Sequence, residues 1–279
     1  MTEIDRALAA KSLPLRRDDG DKRDFGTLLS VCGCDRMPGA AVLSSRSALR
    51  SGVGLLRLVS TEKVAYTVAY ALPECVICPV SSKNGIIPGY ITASVLDKYI
   101  NECSAVLFGC GLSQSEDGAE ILKYLIENCR VPLIIDADGL NILSKNPGFL
   151  TKKHENIILT PHIRELARLQ AAFSEEASAL AEKYALTLVC KGSCTHIFGK
   201  SEEFVLNAPN SALSKGGSGD VLAGIIASLA SQGAEPLSVA ICGVYLHSRA
   251  GALAKDALSA YSALPSDVIE YLPKAFSEL

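Results

Sequence analysis

The sequence predicts an α/β fold built on a mainly parallel sheet, from three observations. Apolar runs of strand length alternate with helical patterns of roughly ten to fifteen residues, as in repeated βαβ units. Apolar residue types make up 48% of the 279 residues, ample material for a core. No linker, low-complexity tract or fixed-period repeat interrupts the alternation. One domain over 25–279 is expected, preceded by an N-terminal extension over 1–24.

The elements follow in order. Residues 27–33 (TLLSVCG) form a buried apolar run, and PGAAVLSSRSALRSG reads as a helix with Pro38 in its first turn. VGLLRLVS is a strand, EKVAYTVAYAL a helix and ECVICPV a third strand. A helix near 90–101, the strand SAVLFG, a helix near 116–128 and the strand VPLIIDA come next. NIILT is another strand, and PHIRELARLQ opens a helix. After a short helix near 174–184, LTLVCKG, THIFG and EFVLN read as strands joined by tight turns. The rest is helical: GDVLAGIIASLASQG, PLSVAICGVYLHSRAGALAKDA and a segment from Pro265. In such sheets ligands bind beyond the carboxyl ends of the strands, and every motif below lies at one.

Composition excludes several classes. A formal net charge of −3 without a long basic run argues against a nucleic-acid partner. No uncharged apolar run reaches the ~18 to 20 residues that span a bilayer, and the polar first 25 residues lack a signal-peptide apolar region. A cytoplasmic protein is expected. Ten cysteines without a secretion signal then read as reduced thiols. Cys75 and Cys78 have zinc-knuckle spacing but lie in a strand without a second pair, since Cys190 and Cys194 flank a glycine turn. Buried small hydrophobes are the plainer reading.

Four stretches carry candidate chemistry. In SKGGSGDVLAG, Gly216, Gly217 and Gly219 leave backbone N–H groups bare around Ser218, at the start of a helix. A glycine-rich helix N-terminus is an anion site. The Gly-Lys-Ser/Thr ending of a P-loop is missing. Asp220 has two open roles: a helix cap, or a base that deprotonates a hydroxyl attacking a phosphate.

LVCKGSCTHIF places Lys191, Gly192, Ser193, Cys194 and Thr195 in a hairpin turn offering an ammonium, a hydroxyl and N–H groups. Alone it is a generic turn; beside the glycine loop it supplies a second wall for a nucleotide. In ILTPHIRELARL, His162 opens a helix with Glu165 at capping-box distance, so it serves as cap or as ligand contact.

The small residues of MPGAAVLSSRSALRSG suggest close approach of backbone to a flat ligand. VCGCDRMPG fails the G-x-G-x-x-G spacing, which excludes a dinucleotide-binding hydride-transfer enzyme. FGCGLS adds Gly109 and Gly111. IIDADGLN adds Asp136, Asp138 and Asn141; Asp138 and Asn141 are candidate Mg²⁺ contacts, or ordinary caps after a strand.

In this order, MPGAAVLSSRSALRSGVGLL, FGCGLS, IIDADGLN, LTPHIRELARL, VCKGSCT and GGSGDVLAGIIASLASQG resemble the ADP/ATP-dependent NAD(P)H-hydrate dehydratase family, from about Phe25 to the C-terminus. The resemblance implies a ribokinase-like three-layer sandwich. It implies repair of the S-epimer of hydrated NADH or NADPH, with ADP or ATP and Mg²⁺ driving loss of the added water through phosphorylation of the ring hydroxyl. By matching position, Ala40, Gly111, His162 and Asp220 would contact the hydrated nicotinamide, with Asp220 as base. Lys191 to Thr195 and Gly219 would hold the adenine nucleotide. The resemblance also favours ADP, a homo-oligomer and a separate epimerase.

The chain departs from the family pattern at Cys32-Gly33-Cys34-Asp35-Arg36, at Asn207-Ala208-Pro209-Asn210 and at Lys215, which adds a cation beside the anion loop; Ser218 replaces a threonine and keeps the hydroxyl. Two other readings stand beside this one. A kinase for a hydroxymethylpyrimidine or hydroxyethylthiazole would use the same Asp220, and a silent adenylate sensor would not need it.

Overall fold

Along the strand Ala105–Phe108 of the computed structural model, Ala105 and Leu107 enter one apolar layer, and Val106 and Phe108 enter another. That two-residue period, repeated in its neighbours, is what a sheet covered on both faces requires. The structure describes residues 1–151 and 156–279.

The strands are β1 (Thr2–Glu3), β2 (Thr27–Val31), β3 (Leu55–Thr61), β4 (Val76–Val80), β5 (Ala105–Phe108), β6 (Leu133–Ile135), β7 (Ile157–Leu159), β8 (Thr187–Cys190), β9 (Cys194–Phe198) and β10 (Glu203–Asn207). They form one sheet in the order β1-β10-β9-β8-β7-β6-β5-β2-β3-β4. From β8 through β4 all pairs are parallel; the β8–β9 and β9–β10 pairs are antiparallel, and β1 runs parallel to β10.

The helices are α1 (Arg6–Lys11), α2 (Pro38–Arg50), α3 (Glu62–Ala71), α4 (Asp97–Ile100), α5 (Glu116–Asn128), α6 (Asp138–Lys145), α7 (Ile163–Phe173), α8 (Ala177–Tyr184), α9 (Ser218–Ser231), α10 (Pro236–Ser262) and α11 (Pro265–Ser277). Helices α1, α2, α3, α9, α10 and α11 contribute to the apolar layer on one face. Helices α4 to α8 contribute to the other. This is the three-layer sandwich that the resemblance implies.

The chain builds β2, β3 and β4 outward in one direction, then returns to place β5 on the opposite flank of β2. The strand order thus reverses at β2 and β5, and sheets of this kind bind ligands beyond the carboxyl ends of their strands near such a point.

Three observations bear on the sequence expectations. The 1–24 segment is not merely appended: β1 pairs with β10, Leu8 of α1 packs against the apolar layer, and Ala9 is buried. Among the small residues of α2, Ser44 and Ser47 make room for a neighbouring helix. A Cβ on Gly224 of α9 would lie 2.2 Å from the Ser44 carbonyl oxygen and 2.1 Å from Ser47 Oγ, so only glycine allows this crossing. Helix α10 is long and apolar enough to cross a membrane by length and composition, and 67% of its apolar window is buried inside the fold, the pattern of a core helix. All ten cysteines are unpaired, with Cys75 and Cys78 buried in and beside β4.

Candidate active site

Just after β8, Lys191 donates to Asp136 Oδ1 at 2.7 Å. Thr160, ending β7, donates to the same oxygen at 2.7 Å. The Asp136 side chain is 2% exposed and that of Lys191 17%. Burial pulls the Lys191 ammonium down, yet the charge and hydrogen bond of Asp136, together with the charge of Glu165, outweigh it and leave the group above its ordinary value. Three parallel strands thus end in one fixed charge pair.

Glycines set the floor. A Cβ on Gly109 would lie 2.2 Å from the Asp136 carbonyl oxygen, and the residue's φ of +116° suits glycine alone. Gly111 packs against Ala40, whose Cβ would lie 2.6 Å from an added Cβ there. Ala40 and Gly111, expected on the substrate, are therefore neighbours.

Helix α9 begins at Ser218, one residue before the segment read as helical in the sequence. Its N-cap is Gly217 at φ +98°, and no side chain caps it. Asp220 stands in the first turn without serving as the cap. Burial, then the charge of Asp136, pushes its carboxyl up to about 6, against opposition from the Cys110 thiol and Lys191. Cys110 donates to Asp136 Oδ2 at 3.8 Å, and donor atoms of Cys110, Asp136 and Asp220 lie within 4.8 Å of one another. The thiol keeps its proton: its bond to Cys32, burial and the two carboxylates hold it well above the ordinary range.

An open cleft of about 800 Å³ runs from this point between the glycine loop and the β8–β9 turn. His162, Lys191, Gly192, Ser193, Thr195, Ser218 and Gly219 line it. The turn is held by Thr195 Oγ1 donating to the Gly192 carbonyl at 3.2 Å. His162 is a cap as well as a cleft residue: its Nδ1 accepts from Arg164 N at 3.0 Å, while its own N–H donates to Glu165 Oε2 at 2.9 Å. Gly216 faces open space and Gly217 packs on Leu43. Cys194 does not line the cleft; alternation along β9 puts it on the opposite side from Thr195, in a second cavity.

Two features were missed in the sequence, His247 and Cys110, and two departures noted there, Asn210 and Lys215, gain a place. His247 of α10 is buried beneath the loop, its Nε2 3.2 Å from Ser218 Oγ; burial, then Lys191, lowers it to about 4, so it is neutral. A histidine inside an apolar helix is the signal that could have flagged it. Cys110 was passed over between its two glycines. Asn210 Nδ2 is a buried donor in the cleft wall with no partner among the described residues. Lys215 donates to the carbonyls of Tyr261 at 2.7 Å and Ala263 at 2.5 Å, so its ammonium ties the loop to the end of α10.

The candidate metal contacts are engaged elsewhere: Asp138 Oδ2 accepts from Ser113 N at 2.8 Å, and Asn141 Oδ1 accepts from Arg168 at 2.5 Å. Among the described residues, only Cys110, Asp136 and Asp220 converge as a possible metal group. A thiol is a soft donor, and Asp136 is already neutralised by Lys191, so this group does not form a dedicated Mg²⁺ cage.

A family model described as NAD(P)H-hydrate dehydratase matches residues 28–274. The ADP-dependent (S)-NAD(P)H-hydrate dehydratase of Xanthomonas campestris pv. campestris is 32% identical over 257 residues, covering 88% of this chain and 86% of that protein. The bifunctional NAD(P)H-hydrate repair enzyme of Moorella thermoacetica is 32% identical over 98% of this chain, which spans 53% of that protein. A ribokinase-like superfamily protein from Enterococcus faecalis superposes with a TM-score of 0.86 at 25% identity, covering 100% of this chain and 96% of that one. The ADP/ATP-dependent NAD(P)H-hydrate dehydratase of Bacillus subtilis, co-crystallised with ATP/Mg²⁺, gives 0.77 at 27% identity, covering 97% and 95%.

Proposed function

The chain belongs to the NAD(P)H-hydrate dehydratase family, and from that premise we propose that it uses ADP or ATP to convert the S-epimer of hydrated NADH or NADPH back to the dinucleotide. The observation that carries this reading is the position of Asp220: a half-buried carboxylate pushed up to about 6, in the first turn of a helix whose N-terminus opens on the cleft.

The residues divide the work along the cleft. The turn from Lys191 to Thr195 and the N–H groups around Gly219 hold the nucleotide, with the helix dipole facing its terminal phosphate. Asn210 Nδ2 supplies a further unspent donor in the wall. The hydrated ring lies over Ala40 and Gly111, bordered by His162. Asp220 takes the hydroxyl proton as that oxygen attacks the terminal phosphoryl group. Phosphorylation makes a good leaving group, and the lone pair on the ring nitrogen expels phosphate. Lys191 holds Asp136 in place and keeps Asp220 from rising further, so the base is ionised near neutral pH. Mg²⁺ bound to the nucleotide's phosphates would neutralise part of their charge.

The test is recovery of reduced-nicotinamide absorbance from NADPH hydrate with Mg²⁺ and either ADP or ATP. Recovery lost in Asp220→Ala supports the assignment. No recovery with either nucleotide overturns it, and a stable phosphorylated product of a pyrimidine or thiazole alcohol would put the kinase reading in its place.

A further inference from the structure

Behind the β8–β9 turn lies a second cavity of about 620 Å³, walled by Ile163, Leu166, Ala177 and Phe198. Three chemistry-bearing side chains open into it in series. Cys194 Sγ is 3.6 Å from His196 Nε2, and His196 Nδ1 is 3.2 Å from Glu203 Oε1. Strand geometry explains the grouping: Cys194 and His196 are two apart on one face of β9, and Glu203 reaches His196 from neighbouring β10. A nucleophile within reach of a base, itself oriented by a carboxylate, is the arrangement that activates thiols. All three side chains are partly open to solvent, whereas the other cysteines, apart from Cys190, are buried. Cys190, in the same cavity, is pushed up to about 12 by burial and is a poor nucleophile.

Lys191, Gly192 and Ser193 line both this cavity and the cleft, so one turn forms the wall between them. We propose that Cys194 is a reversible modification site for low-molecular-weight disulfides, and that an adduct there closes the neighbouring nucleotide cleft. The coupling part rests on the nucleotide reading given above. In the reaction, His196 Nε2 accepts the thiol proton, and Cys194 Sγ attacks one sulfur of the disulfide. The protein–small-molecule S–S bond forms as the reagent's S–S bond breaks. The electron pair leaves on the released thiolate, which then takes up a proton. The protein thiol is oxidised and half of the reagent reduced. The adduct crowds the first residue of β9, whose neighbour Thr195 holds the turn closed.

The test uses the full chain and glutathione disulfide. Nucleotide affinity is first measured on reduced protein by calorimetry with ATP and Mg²⁺; failure there counts against the nucleotide assignment alone. Peptide mass spectrometry then follows adduct formation with time. The expected results are preferential labelling at Cys194 and at least tenfold slower labelling in His196→Gln. ATP Kd should rise at least tenfold in the adduct and recover with dithiothreitol. Equal labelling of several cysteines, a rate indifferent to His196→Gln, or an adduct that binds ATP normally overturns the proposal.

Discussion

Lys191 Nζ and Asp136 Oδ1, 2.7 Å apart and 55 positions apart in sequence, join the ends of β8 and β6 directly below the turn carrying Asp220. The pair sets the charge of the site. Removing one partner of a buried pair typically costs about 3 to 5 kcal/mol. Lys191→Met should lower stability toward that range and release Asp136 to repel Asp220. The acid limb of the kcat/KM profile should move above the wild-type position, and ATP affinity should fall. Urea unfolding and a pH–rate series read the two effects separately.

Asp220 and His247 make opposite contributions to stability over the same pH window. From about pH 4 to 6 the folded chain retains a proton on Asp220 that the unfolded chain releases, so this group makes stability fall as pH rises. His247 is neutral in the fold down to about pH 4, while the unfolded chain protonates it below its ordinary value, so it makes stability rise over that window. Asp220→Asn should remove the first effect and leave the second. Relative to wild type, the variant's unfolding free energy should gain about 1.4 kcal/mol per pH unit between pH 4.5 and 5.5, measured by urea midpoint at constant m. Its turnover should drop by about 10² to 10⁴. A parallel pH dependence in variant and wild type would refute the shifted carboxyl.

Cys110 is a positioning residue for that base, with its proton directed toward the Asp136 and Asp220 carboxylates. Cys110→Ala should move the acid limb of kcat/KM to higher pH, because Asp220 loses a donor that lowers it. The rate on the plateau should change less. Cys110→Ser retains a donor and should restore most of the profile; no difference between the two variants would reduce Cys110 to packing.

Lys215 stands beside the anion loop but spends its ammonium on helix carbonyls. Lys215→Met should cost about 1 kcal/mol, the usual scale of a lost hydrogen bond, and lower Tm by about 2 °C. ATP affinity should hold within a factor of about three. A large loss of affinity with Tm unchanged would place this cation on the phosphates instead.

Most strands were legible as short apolar runs bounded by turn residues, as in SAVLFG, and most helices as longer patterns between them. The helix Asp138–Lys145 was not, since its eight residues follow a strand directly and its acids attracted a ligand reading. The glycine loop and the strand-end motifs could be placed at one edge of the sheet, because parallel topology collects them there. What sequence could not supply was side-chain direction. Lys215 turns away toward Tyr261 and Ala263, Cys194 turns into the second cavity, and His247 reaches Ser218 from a helix that otherwise reads as core. Each depends on contacts between segments far apart in sequence, which local pattern does not encode.

The edge strand β1 has a consequence for how the molecule assembles. Thr2 and Glu3 pair with Phe204 and Val205, about 200 residues downstream. Closing so long a loop for two residues of pairing returns little free energy until the rest of the sheet exists. This margin should therefore order last during folding. In native-state hydrogen exchange, the amide of Ile4, bonded to the Val205 carbonyl, should open at far lower free energy than the amides of β5, uncovering the free side of β10 while the central strands stay closed.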